Sequence, residues 1–164
     1  MLKQFMVDEE DAIMVQEAPL RETVVTVFKK MGVNEADCAL AADVLVTADM
    51  RGVETHGVSN MLRGYVTGYG NGTLNPNPDW KIVRETPATA NIDSDAGLGI
   101  IVVPKAMEIA IEKAKNTGVG MVTIRNGRHM GMASYHAMMA LEHDMIGVTM
   151  TSCPPGVLPT FGAE

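Results

Sequence analysis

Asp93-Ser94-Asp95-Ala96-Gly97-Leu98-Gly99 is the stretch on which the fold turns. Trp80 to Ile92 precedes it, alternating loosely through Ile82, Val83, Thr86, Thr89 and Ile92 with a break near Pro87. That pattern predicts two short strands. A helix follows to Asn116, with a stripe of Met107, Ala110, Ile111 and Ala114. Strand, glycine turn and helix are the order of a dinucleotide-binding motif. The G-x-G-x-x-G fingerprint, however, needs a third glycine where this chain has Val102, so the fingerprint is rejected. Asp93 and Asp95 read as turn or capping residues and not as metal ligands. Pro104 either occupies the first turn or kinks a helix that starts near Gly97. Gly118 stops this helix, and Val119 to Ile124 reads as a buried strand.

Downstream, Asn126-Gly127-Arg128-His129-Met130-Gly131 forms a loop. A helix over Met132 to His143 and a strand over Met145 to Thr151 come next, then an irregular tail. Upstream, residues 70–79 are almost all turn formers and mark a boundary. The fold class is α/β, with a helical unit over 1–75 and a second unit over 76–164. Residues 1–18 are acidic and aperiodic, and read as an irregular arm. The first helix begins near Pro19 or Leu20, with Leu20, Val24, Val27, Phe28 and Met31 on one stripe and Gly32 as its stop. Asn34 is the expected N-cap of a second helix running to about Met50. A third helix is expected from about Gly57 to Tyr69.

The 164 residues suffice for a real core. Aromatics make up 4% and methionines number 14, so that core rests on aliphatic and methionine packing. A net charge of −7 argues against nucleic acid or an anionic membrane as partner. The N-terminus lacks a signal-peptide h-region, and no apolar run is long enough to span a bilayer. Two cysteines, Cys38 and Cys153, form no CxxC or Cys/His cluster, so no metal site is expected and a reducing cytoplasmic setting is the simplest reading.

The chemistry concentrates in Asp49-Met50-Arg51-Gly52-Val53-Glu54-Thr55-His56-Gly57-Val58-Ser59-Asn60-Met61-Leu62-Arg63-Gly64-Tyr65. Histidine suits proton transfer because its pKa lies near neutrality. Arginine suits a carboxylate because its planar fork makes two parallel hydrogen bonds. Arg63 follows His56 by seven residues; on a helix starting at Gly57 the pair would share a face, roughly 10 Å apart. The alternative is a helix-capping histidine and a solvated arginine. His129 sits in a loop after a strand, a common place for catalytic groups, although a surface loop histidine is the simpler reading of that position by itself. His136 and His143 read as structural or solvent-facing.

Several ordered blocks resemble the malate/L-lactate dehydrogenase family, which lacks a Rossmann fold and includes ureidoglycolate, sulfolactate, diketogulonate and piperideine-2-carboxylate oxidoreductases. The blocks are Asp49 to Gly57 with Leu62-Arg63-Gly64-Tyr65, Ile92 to Gly99, Gly118-Val119-Gly120, His129-Met130-Gly131 with Tyr135, Met145-Ile146-Gly147, and Pro159 with Phe161-Gly162-Ala163-Glu164. The resemblance implies a helical substrate subdomain beside a mixed or antiparallel cofactor-binding sheet flanked by helices. It implies hydride transfer between NAD or NADP and the 2-position of a small 2-oxo or 2-hydroxy acid, in a homodimer or higher oligomer. By the same resemblance His56 and His129 are the catalytic histidines, Thr55 and Arg63 contact the substrate, and His129, Ser152 and Cys153 lie near the cofactor. Thr55 replaces the family's usual serine, and Arg128 replaces a small polar residue. Relatives continue well past residue 164, so the expectation is an N-terminal portion that does not turn over substrate alone. The competing expectation is a non-enzymatic binding or assembly module with structural histidines.

Overall fold

A computed structural model describes residue 10 and residues 13–152. Helices α1 (Glu17–Lys30) and α2 (Glu35–Met50) form an antiparallel hairpin. Helix α1 starts two residues before Pro19, with Glu17 in its first turn, where a carboxylate suits the helix dipole. It buries Val24 and Phe28. The Asn34 side chain accepts the Asp37 N–H at 3.0 Å, which is the N-cap that its position in the sequence predicts. Helix α2 is buried along most of its length, from Cys38 through Ala41, Ala42, Val44, Leu45, Val46 and Ala48. Its alanines let neighbouring helices approach closely.

After α2 the chain makes a 3-10 turn over Glu54–His56 and enters α3 (Val58–Gly70). The expected third helix is present, but Gly57 is extended at ψ −170° and serves as its N-cap. His56 therefore precedes α3, and the two-turn helical relation expected between His56 and Arg63 does not hold.

The turn-rich stretch then leads to β1 (Lys81–Glu85) and β2 (Thr89–Asp93), an antiparallel hairpin with a register irregularity between Ile82 and Arg84. Helix α4 (Gly99–Thr117) crosses over to β3 (Met121–Arg125), which pairs parallel with β2 in the order β1-β2-β3. The sheet is thus mixed. Ala90 and Ile92 of β2 face α4, where Ile92 packs with Val102 and Ala106. Helix α4 continues through Pro104, which is buried inside it and removes the amide that would bond the carbonyl four residues back. Gly118 ends α4 at φ +83°, a left-handed C-cap for which glycine is suited. Leu98, Ile100 and Ile101 join the core of α1, α2 and α3, so the start of α4 ties the sheet to the helical layer.

Helix α5 (Ala133–Met138) tightens into a 3-10 turn over Met139–His143. The strand expected over Met145 to Thr151 is absent. Among the described residues that segment pairs with no strand, although its exposure alternates along the chain. Ile146, Val148 and Met150 point outward at 95%, 67% and 83% exposure. The alternation that suggested a strand is real, but a strand also needs a hydrogen-bonded neighbour. No helix of the described residues is long and apolar enough to cross a membrane.

Candidate active site

His56 and His129 meet. Their rings stack with centroids 5.4 Å apart and planes 14° from parallel. Separate devices hold each ring in place.

His56 is positioned by the turn between α2 and α3. The Asp49 carboxylate, near the end of α2, accepts the Val58 N–H at 2.8 Å. It thereby satisfies one of the orphan donors at the start of α3 from nine residues upstream. A Cβ at residue 57 would overlap that carboxylate, so Gly57 is required by space rather than by backbone angle. Burial pushes the Asp49 carboxyl up, opposed by the Val58 hydrogen bond. Thr55 Oγ1 lies 2.9 Å from His56 Nδ1, and Asn60 Nδ2 donates to the Glu54 carbonyl at 2.8 Å. The turn is therefore stitched on both sides of the imidazole.

His129 is held by its loop. The Gly131 N–H reaches His129 Nδ1 at 3.3 Å, and the Tyr65 hydroxyl reaches the same nitrogen at 2.8 Å. His136 Nε2 donates to the Met130 carbonyl at 2.7 Å, since a carbonyl only accepts. The Arg128 guanidinium turns away from the rings: its Nε donates to the Thr73 carbonyl at 2.8 Å, and Nη1 reaches the carbonyls of Asn126 and Gly127. Arg128 thus ties its loop to the turn after α3. From beneath, Gly99 at the start of α4 packs directly on the backbone of residues 128–130.

Desolvation holds the His129 pKa below its ordinary value, and the charge of His56 lowers it further. Burial likewise depresses His136, whose Nδ1 has no hydrogen-bond partner. Both shifts have the same linkage sign. The unfolded chain takes up these protons near pH 6.5, while the folded chain resists them until a lower pH. Stability is therefore complete above that range and is lost as pH falls through it. The urea midpoint is expected to drop steadily from pH 7 to pH 5.5. His136→Gln is expected to flatten the slope by up to about 1.4 kcal/mol per pH unit.

The other expected site residues are less engaged. Arg63 is exposed and makes no ion pair among the described residues. It lies two residues before Tyr65 on α3, hence about 200° around the helix from the face that touches His129. Ser152 is exposed, and its carbonyl accepts from Thr151 Oγ1. Cys153 lies outside the described residues. No group of three or more metal-binding side chains occurs among the described residues.

Tyr65 is a site residue to which the sequence reading gave no role. The signal was available: Met61, Leu62, Tyr65, Gly68 and Tyr69 form the inner face of α3, and a buried phenol needs a hydrogen-bond partner.

A mixed sheet with one parallel crossover, capped by a helical layer that delivers one of two facing imidazoles, defines an α/β domain with a stacked histidine pair. The malate/L-lactate dehydrogenase family profile matches residues 15–164, and the chain belongs to that family. It is 48% identical over 144 residues to the L-sulfolactate dehydrogenase of Methanocaldococcus jannaschii, covering 88% of this chain and 42% of that protein. It is 46% identical over 156 residues to the malate dehydrogenase of Pyrococcus abyssi, covering 95% and 43%. The solved malate dehydrogenase of Pyrococcus horikoshii OT3 superposes with a TM-score of 0.80 at 46% identity, over 84% of this chain and 39% of that one. The chain spans about two fifths of the length of these relatives.

Proposed function

We propose that this chain supplies the proton-transfer side of an NAD- or NADP-dependent oxidoreductase that interconverts a small 2-hydroxy acid and its 2-oxo acid. The observation that carries this reading is the stacked His56–His129 pair, with His129 Nε2 free of protein partners among the described residues. The sulfolactate and malate dehydrogenases among its relatives support the substrate class.

A nicotinamide cofactor, when bound, supplies or takes the hydride. The described residues fit the reacting end of such a complex, where an imidazole N–H meets an oxygen. They do not offer a pyrophosphate cradle at the 97–99 glycines. A Cβ at Gly97 would meet the Ser94 carbonyl at 2.9 Å, and Gly99 faces the loop of residues 128–130. Both glycines serve protein packing, in keeping with the incomplete fingerprint. The histidine pair holds the proton exchanged at the 2-oxygen, and their close stacking disfavours charge on both rings at once. Thr55 and Arg63 are the proposed substrate contacts; because Arg63 starts about 200° around α3 from Tyr65, its exposed side chain has to swing toward His56 to meet the carboxylate. Ser152 and Cys153 are proposed near the cofactor. The units 1–75 and 76–164 are proposed as the substrate side and the start of the cofactor side, within a homodimer. The free, buried Cys38 thiol suits a reducing cytoplasm.

Nicotinamide fluorescence tests the reading. Titrating NADH and NADPH into the chain with pyruvate or oxaloacetate present is expected to quench more than without the acid. His56→Ala and Arg63→Ala are expected to remove that increment. Absence of quenching in every mixture would favour a non-enzymatic module.

A further inference from the structure

His129 Nδ1 receives two hydrogen-bonding groups, and only one of them is ambiguous. The Gly131 N–H is a donor and nothing else, so at 3.3 Å it requires a bare lone pair on Nδ1. With Nδ1 bare, the Tyr65 hydroxyl at 2.8 Å is the second donor to the same nitrogen. The proton of the neutral ring then resides on Nε2. We propose that Tyr65 is a positioning residue which, together with the Gly131 N–H, fixes His129 as the Nε2–H tautomer. His129 thereby presents a hydrogen-bond donor on its unpartnered side, toward the 2-oxygen of the substrate.

Three features make Tyr65 suited to this task. It is 5% exposed on the inner face of α3, so its ring is fixed by packing. Burial pushes its hydroxyl pKa well up, so the phenol keeps its proton and acts as donor without becoming a relay. The loop it addresses is immobilised independently by the His136 bond to the Met130 carbonyl and by Arg128 on the Thr73 carbonyl. The titratable groups facing the His129 ring among the described residues are His56 and Tyr65. The orientation makes chemical sense in the reducing direction. A neutral imidazole N–H aimed at a carbonyl oxygen polarises it and stabilises charge growing there. The Nδ1–H tautomer would face the Gly131 N–H with a second donor and leave only a lone pair on the unpartnered Nε2.

The significance for the 2-oxo acid rests on the function proposed above, but the tautomer does not, so the two fail separately. Long-range proton–nitrogen correlation spectra of the 15N-labelled chain, without substrate or cofactor, read the protonation of each histidine nitrogen directly. In the unmodified chain at pH 8, His129 is expected to carry its proton on Nε2. In Tyr65→Phe, which keeps the ring volume, the Nε2–H to Nδ1–H ratio is expected to fall roughly fivefold, the worth of one neutral hydrogen bond. Backbone dispersion checks that the variant is folded, and the unmodified chain remains decisive if it is not. A proton on Nδ1 in the unmodified chain would overturn the proposal. So would an unchanged ratio in folded Tyr65→Phe. A purely structural role for Tyr65 would leave the tautomer ratio where it was.

Discussion

Gly99→Ala is expected to unseat His129 without touching it. The new methyl would lie 2.7 Å from the His129 carbonyl oxygen and 2.7 Å from Met130 Cα, and closer still to the Arg128 carbonyl oxygen. These are backbone atoms, so no side-chain rotation relieves the overlap. Either α4 retreats or the loop of residues 128–130 moves by a sizeable fraction of an ångström. Helix α4 is the less free of the two, because Leu98, Ile100 and Ile101 are anchored in the helical core. The loop therefore yields, stretching the Gly131 and Tyr65 contacts to Nδ1 and the His136 bond to Met130. Overpacking of this kind costs about 1–3 kcal/mol, measurable as a lower urea midpoint. In a protein of the relatives' length carrying this chain, turnover is expected to fall by about 100-fold, since a shift near 1 Å in a reacting group has that effect. Retained turnover would show that the loop tolerates the methyl and that the Gly99 contact does not position the site.

Gly99 also shows what could be read from the sequence and what could not. The incomplete fingerprint at Gly97, Gly99 and Val102 was legible, because a motif with a missing glycine is a local property. The purpose of the remaining glycines was not, since it depends on a loop about 30 residues away. The same divide runs through the fold. Asn34 as N-cap, Gly118 as stop and the break near Pro87 follow from local chemistry, and each lies where the chain predicted it. The segment over Met145 to Thr151 has strand-like alternation but no neighbour among the described residues. Pairing is a property of two segments, and the pattern of one does not report it. In the site, the ordered blocks of the family resemblance singled out His56 and His129, while their stacking required the turn before α3 and the loop after β3 to meet. The expected helical register from His56 to Arg63 failed on one residue. Gly57 adopts an extended conformation to make room for the Asp49 carboxylate, a contact spanning eight residues of sequence.

Replacing the stacked histidines one at a time is expected to separate their roles in a protein of that length. His129→Gln keeps an N–H donor of similar reach but removes an imidazole that accepts the Tyr65 hydroxyl. His56→Gln removes the ring whose charge presses on His129. If His129 polarises the 2-oxygen and His56 exchanges the proton, both variants lose turnover, within the range of about 10²–10⁴-fold typical of a positioned acid–base group. Their pH behaviour should differ. Loss of His56 removes the positive neighbour that depresses the His129 pKa, so the surviving histidine is expected to titrate closer to its ordinary value. In His129→Gln that titrating ring is gone, and its contribution to the pH–rate profile is expected to be lost with it. The reading fails if either variant keeps more than about one tenth of the unmodified turnover, because a group that transfers or stabilises the proton contributes more than that. If His56→Gln leaves the His129 contribution at its original pH, the stacked ring does not press on His129 and that part of the reading fails.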